Sequence, residues 1–216
     1  LAQKFFHDDS LMPPLKLLLK VSSSQILAMQ CFLKQKALDS NVLIMVCPHS
    51  KWESKKLPLN LLKDLLCELK IKFSASFLFI YGSQEERVIS NKLKDEFKSC
   101  SAVSGNLSIP TWYFLMTKVH LVLSMDSSAL HLANLANTPT FSFFGPSNPE
   151  TYAPKGNIHA HIQGICPYGQ TFQTRCRYLR SCHDHPCISK LKHEDIIKAC
   201  SEHIYKNLHL ATQSTS

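Results

Sequence analysis

Short, wholly apolar runs recur between stretches of helical spacing, and this alternation limits what the chain can fold into more than any other feature. Val42-Leu43-Ile44-Met45-Val46-Cys47 has no polar face. Such a strand is stable only when both of its faces are covered, as in a parallel sheet. Pro58 then opens a helix in which Leu61, Leu62, Leu65, Leu66 and Leu69 form one stripe. The pattern continues with a strand over Ser76 to Tyr81, a charged helix from Gln84 to Lys98 and a short strand over Ser101 to Val103. A helix follows from Ser108 to Lys118, a strand from Val119 to Met125, a helix from Ser127 to Asn137 and a strand from Thr140 to Phe144. A loop-rich stretch leads to a last helix from about His193 to Leu208. Upstream, residues 1 to about 20 read as irregular, broken by Pro13-Pro14, and Ser22-Ser23-Ser24 cap a helix to about Leu38. The class expected is α/β, a parallel sheet with helices on both faces.

Composition supports a globular chain: 44% of residues are hydrophobic and 19% charged over 216 residues. No apolar run is long enough for a membrane-spanning helix, and no signal peptide is visible. The chain starts at Leu1 rather than Met, which raises the expectation of a longer product. The net charge of +8 would suit an anionic partner or simply a lysine-rich surface. There is no long Arg/Lys run and no aromatic RNA-binding signature, so no nucleic-acid partner is expected. The nine cysteines divide into five scattered ones (Cys31, Cys47, Cys67, Cys100, Cys200) and a cluster of Cys166, Cys176, Cys182 and Cys187. An odd count without a leader points to a reducing compartment. The cluster lacks a C-x-x-C pair, so it reads either as a tetrahedral zinc site or as a loop packed on the domain.

Ligands of an open α/β sheet bind beyond the carboxyl ends of the strands. Four segments fall there: Pro48 to Lys56, Tyr81 to Glu86, Met125 to His131 and Phe144 to Pro149. The third is the most informative, because Asp126 ends a strand and Ser127-Ser128 begin a helix. Free N–H groups and the macrodipole at that start suit an anion, and the same residues suit a plain N-cap. Lys51, Lys55 and Lys56 are available as countercharge, and Glu85 as an acceptor for ribose hydroxyls. No G-x-G-x-x-G, P-loop or G-x-S-x-G motif is present.

Together these segments resemble the heptosyltransferase family, glycosyltransferase family 9. The match runs through Pro48-His49-Ser50, Lys55-Lys56-Leu57-Pro58 and Gly82-Ser83-Gln84-Glu85. It continues through Asp126-Ser127-Ser128-Ala129-Leu130-His131-Leu132-Ala133 and Pro139 to Gly145-Pro146-Ser147, covering about residues 40 to 200. The resemblance implies a GT-B fold of two Rossmann-like domains, of which this chain is similar to the C-terminal, donor-binding half. On that basis residues 40–216 form the nucleotide-sugar domain, with a cysteine-rich loop at 164–188, and residues 1–39 are a leading segment and linker helix.

The resemblance further implies an inverting, metal-independent transfer without a cofactor. The donor would be a nucleotide sugar, ADP-heptose by preference, and the acceptor the lipid A-core oligosaccharide of lipopolysaccharide. Asp126, Ser127, Ser128, Ala129 and His131 would hold the diphosphate and sugar, and Ser50, Lys51 and Lys55 would approach them. Glu85 would bind the ribose and Leu107 the base. The catalytic base is expected in an N-terminal acceptor domain. The location implied is cytoplasmic, in contact with the inner face of the inner membrane. Three positions depart from the family pattern: Ser128 for glycine, His49 for glycine and Leu57 for tryptophan. Ser128 and His49 keep open a degenerate nucleotide-binding domain, and Cys166, Cys176, Cys182 and Cys187 keep open a zinc-stabilised interaction domain.

Overall fold

The computed structural model describes residues 19–36, 38, 42–171 and 173–213. The expected irregular stretch with Pro13-Pro14 lies outside them. Six strands form one parallel sheet in the order β3-β2-β1-β4-β5-β6. They are β1 (Val42–Cys47), β2 (Ala75–Tyr81), β3 (Ser101–Gly105), β4 (Leu121–Met125), β5 (Thr140–Phe144) and β6 (His159–Gln163). The helices are α1 (Ser23–Gln35), α2 (Leu59–Phe73), α3 (Gln84–Phe97), α4 (Ile109–Met116), α5 (Ser128–Leu135), α6 (Pro149–Tyr152), α7 (Pro186–Ser189) and α8 (His193–Gln213). Among the described residues, no helix is long and apolar enough to cross a membrane.

The apolar runs are explained by two cores, one on each face. Val42, Ile44 and Val46 point to one side, with Phe77, Phe79, Phe141 and Phe143, and are covered by α2, α3 and α8. Leu43, Met45 and Cys47 point to the other, covered by α4, α5 and partly by α1. Alternate residues of β1 thus enter different cores, so both of its faces are apolar. The leucine stripe of α2 behaves as its spacing predicts. Leu62, Leu65, Leu66 and Leu69 are buried, and Leu61 is half-buried.

One strand lies in the stretch expected to be loops. β6 pairs in parallel with β5 from Thr140↔His159 to Phe144↔Gln163. Its sequence, His-Ala-His-Ile-Gln, has no apolar run, because an edge strand needs only Ala160 and Ile162 to pack inward. The last helix also runs past its expected end at Leu208, to Gln213.

Candidate functional site

The sheet order reverses between β1 and β4, and the chain leaves both strands at the same end. A crevice must open there, because the two connections run to opposite faces. It holds a cavity of about 590 Å³. The loop after β1 and the start of α5 supply Ser50, Lys51, Ser127, Ser128 and Ala129 to its wall. The β3–α4 connection supplies Asn106, Leu107 and Ser108, and the first turn of α4 supplies Ile109 and Trp112, with Ile80 from β2. These two ends stand two to three strand spacings apart, roughly 10–14 Å. The cavity is therefore polar and dipolar at one end and mainly apolar at the other, where Asn106 and Ser108 add polar groups beside Leu107, Ile109 and Trp112.

The start of α5 is open by construction. Ser127 takes the extended N-cap conformation, but its hydroxyl does not cap the helix and lies 3.3 Å from that of Ser124. First-turn N–H groups without a side-chain cap are available to a ligand. Ser50 donates to the Asp126 carbonyl at 3.5 Å, which ties the β1 loop to the end of β4.

Other expected residues sit differently. Lys55 is 5% exposed and Asp126 6%, and the two form a buried ion pair. The Lys55 charge is thus cancelled inside the protein, and neither residue lines the cavity. His131 is exposed on α5, beside Asn134, because Ala129, Leu130, Leu132 and Ala133 turn that helix inward. Glu85 is exposed and accepts from the Ser83 hydroxyl at 2.7 Å. Its neighbour Glu86, and not Glu85, lines the cavity and accepts from the Gly82 N–H at 2.7 Å. Leu107 does lie in the wall, and Trp112 joins it with an indole N–H that is buried and unpartnered.

His49 lies behind the polar end, 9% exposed, with Nε2 3.3 Å from the Ser90 hydroxyl of α3. Burial holds its imidazole below the ordinary 6.5, against the opposing field of Glu86. Burial likewise lowers His159, His161 and His203 from 6.5. The unfolded chain binds protons at these sites as pH falls through roughly 6.5, while the folded chain resists until lower pH. The stability they contribute is therefore full above the unfolded value and is lost below it. Urea midpoints are expected to fall from pH 7.5 to pH 5, and His203→Gln is expected to flatten that slope. A midpoint that rises on acidification would contradict this.

Cys166, Cys176, Cys182 and Cys187 come together around one small cavity with His185. Burial first, then the nearby Cys166 and Cys182, push the Cys187 thiol up to about 11. Among the described residues, however, no group of three or more His, Cys, Asp or Glu is arranged to hold a metal ion.

Comparison with known proteins adds three kinds of finding. The model of "Glycosyltransferase family 9 (heptosyltransferase)" matches residues 8–181. A comparison with curated protein sequences finds no match. Solved structures do match. A family 9 glycosyl transferase from Veillonella parvula superposes with a TM-score of 0.72 at 15% identity, covering 87% of this chain and 53% of its own. The ADP-heptose lps heptosyltransferase II of E. coli gives 0.65 at 17%, with 87% and 53% covered. The E. coli heptosyltransferase WaaC with ADP gives 0.60 at 17%, with 81% and 48% covered. These likenesses concern the fold, and this chain spans about half the length of each.

Proposed function

The chain belongs to glycosyltransferase family 9, and from that premise we propose that its residues 40–216 bind the nucleotide-sugar donor of a two-domain sugar transferase. The observation that carries this reading is the two-ended cavity at the β1–β4 switch point. Its polar end suits a diphosphate and its apolar end a base. At the diphosphate end, the α5 N–H groups and dipole oppose the negative charge, Ser50 and Ser127 add hydroxyls, and Lys51 adds a cation. At the other end, Leu107, Ile109 and Trp112 cover the base. Glu86 is assigned to the ribose hydroxyls in place of Glu85, because Glu86 is the carboxylate in the wall.

In this scheme Asp126 and Lys55 are positioning residues. Their pair holds the end of β4 against the β1 loop, so that α5 starts where the diphosphate sits. The reaction proposed is inversion at the anomeric carbon without a metal. The acceptor hydroxyl attacks, a base removes its proton, and the α5 terminus with Lys51 stabilises the departing diphosphate. That base is assigned to an acceptor domain, for which residues 1–39 would be the connection. ADP-heptose is the donor and the inner core of lipopolysaccharide the acceptor we favour, from the named activities of the E. coli relatives. A cytoplasmic site at the inner membrane face goes with that acceptor.

Binding of ADP is expected to raise the thermal midpoint by several degrees at millimolar concentration, since a ligand bound only by the folded state stabilises it. No shift from an intact fold would sink the donor reading. Ser128 adds a Cβ where glycine would let the backbone approach phosphate. Ser128→Gly is therefore expected to tighten ADP binding by up to about tenfold, or about 1.4 kcal/mol. If neither form binds, the reading left standing is the degenerate domain.

A further inference from the structure

The carboxylate assigned to the ribose has no apolar anchor of its own. The buried residues of α3 are Ser90, Leu93 and Phe97, and Ile89 packs on the same core. Gln84 and Glu85 are exposed and Glu86 is half-buried, so the first turn reaches past the core to the cavity wall. Polar contacts must therefore fix where that turn sits. Two of them are local. The Ser83 hydroxyl accepts from the Glu86 N–H at 3.3 Å, and Glu86 Oε2 accepts from the Gly82 N–H at 2.7 Å. Both lie within residues 82–86, so they shape the turn without tying it to a neighbouring strand.

The tie to a neighbouring strand comes from His49, two residues past the end of β1. It lies in the cavity wall and is 9% exposed. Its Nε2 stands 3.3 Å from the hydroxyl of Ser90, which is 0% exposed. The ring also bonds to the Glu86 backbone carbonyl and lies in the field of the Glu86 carboxylate. Glu86 and Ser90 are about one turn apart, so one imidazole spans the turn that carries the carboxylate. Among the described residues, Glu86 enters no ion pair and its Oε1 accepts no hydrogen bond. One oxygen is thus fixed by the backbone and the other is free for a ligand.

We propose that His49 is a positioning residue, which holds the free oxygen of Glu86 at the cavity and so makes the site select a nucleotide with intact ribose hydroxyls. The proposal rests on the donor reading and on Glu86 as its ribose contact. A preordered carboxylate gains most from a hydroxyl donor, because no ordering cost is left to be met on binding. His49 is also one of the three departures from the family pattern. A glycine there could make neither contact with α3, so in this chain the departure adds a constraint to the wall.

The test titrates the full chain by calorimetry with ADP and with its dideoxyribose analogue, which lacks both ribose hydroxyls. The parent is expected to prefer ADP by about tenfold or more, the order of a hydrogen bond to a charged group. His49→Ala should reduce that preference to about twofold, by weakening ADP while leaving the analogue within about twofold of the parent. His49→Gln keeps an N–H at similar reach and should keep most of the preference. Glu86→Ala should abolish it, and adding His49→Ala should then change nothing, because the one residue acts through the other. Should His49→Ala fail to fold, Ser90→Ala takes its place, since it removes the far end of the same contact, and should cut the preference at least about threefold. His49→Ala that keeps the preference, weakens both nucleotides alike or adds to Glu86→Ala overturns the proposal and leaves the donor reading standing. So does a parent that binds both nucleotides equally, which takes the ribose from Glu86. A folded parent that binds neither nucleotide refutes the donor reading itself, and the role of His49 with it.

Discussion

Asp126→Ala is expected to destabilise the protein by about 3–5 kcal/mol, because it leaves the Lys55 ammonium buried without a partner. Lys55 is 5% exposed and Asp126 6%, so little water reaches either side chain to replace the lost contact. Lys55→Ala strands the carboxylate instead and should cost a similar amount. For a chain of this size each kcal/mol moves the thermal midpoint by about 2–4 °C, so each variant should melt roughly 6–20 °C lower. The double variant Lys55→Met with Asp126→Leu discriminates the cause. It removes both charges and keeps apolar volume, and it should recover most of the loss. A single variant within 1 kcal/mol of the parent would show that the pair is not the buried unit described.

Gly164→Ala should be the most damaging change that adds only a methyl group. A Cβ at Gly164 would stand 1.3 Å from the Cys187 carbonyl oxygen and 2.5 Å from its carbon. Both atoms are backbone, so no rotamer relieves the clash. The residue follows β6 directly, and its N–H donates to the Phe144 carbonyl at 3.0 Å. Either that bond or the seat of α7 must give way. We expect a loss at the upper end of the roughly 1–3 kcal/mol seen for overpacking. Limited proteolysis should show new cleavage within 165–185, and an unchanged digestion pattern would refute the contact.

How far these features could be read from the sequence depended on how many neighbours each residue answers to. β1 has a core on both sides, so all six of its residues are apolar and its bounds are legible to the residue. β6 is an edge strand with one packed face, and its two histidines and glutamine hid it. At the site, the order of motifs indicated the crevice, but the direction of each side chain was less legible. Glu85 and Glu86 both suit a first helical turn, and they differ by about 100° around the axis, which decides which one meets the cavity. The spacing of apolar residues on α5 determines where His131 points. It falls on the solvent stripe once Ala129, Leu130, Leu132 and Ala133 are taken as the inner one. Lys55 was identifiable as a cation near the site, but its buried partner lies 71 residues away and leaves no local trace.

The strand order has a consequence for how the sheet is made. β1 has β2 on one side and β4 on the other, and β4 begins 74 residues after β1 ends, at Leu121 against Cys47. As the chain leaves the ribosome, β1, β2 and β3 can pair first, which leaves the most apolar strand as a temporary open edge. Until Leu121–Met125 arrives, a growing polypeptide displays Val-Leu-Ile-Met-Val-Cys with unpaired amides, a template for association with other nascent chains. Closure between β1 and β4 completes the crevice and hides that edge in one event, so acquisition of the binding site coincides with escape from aggregation.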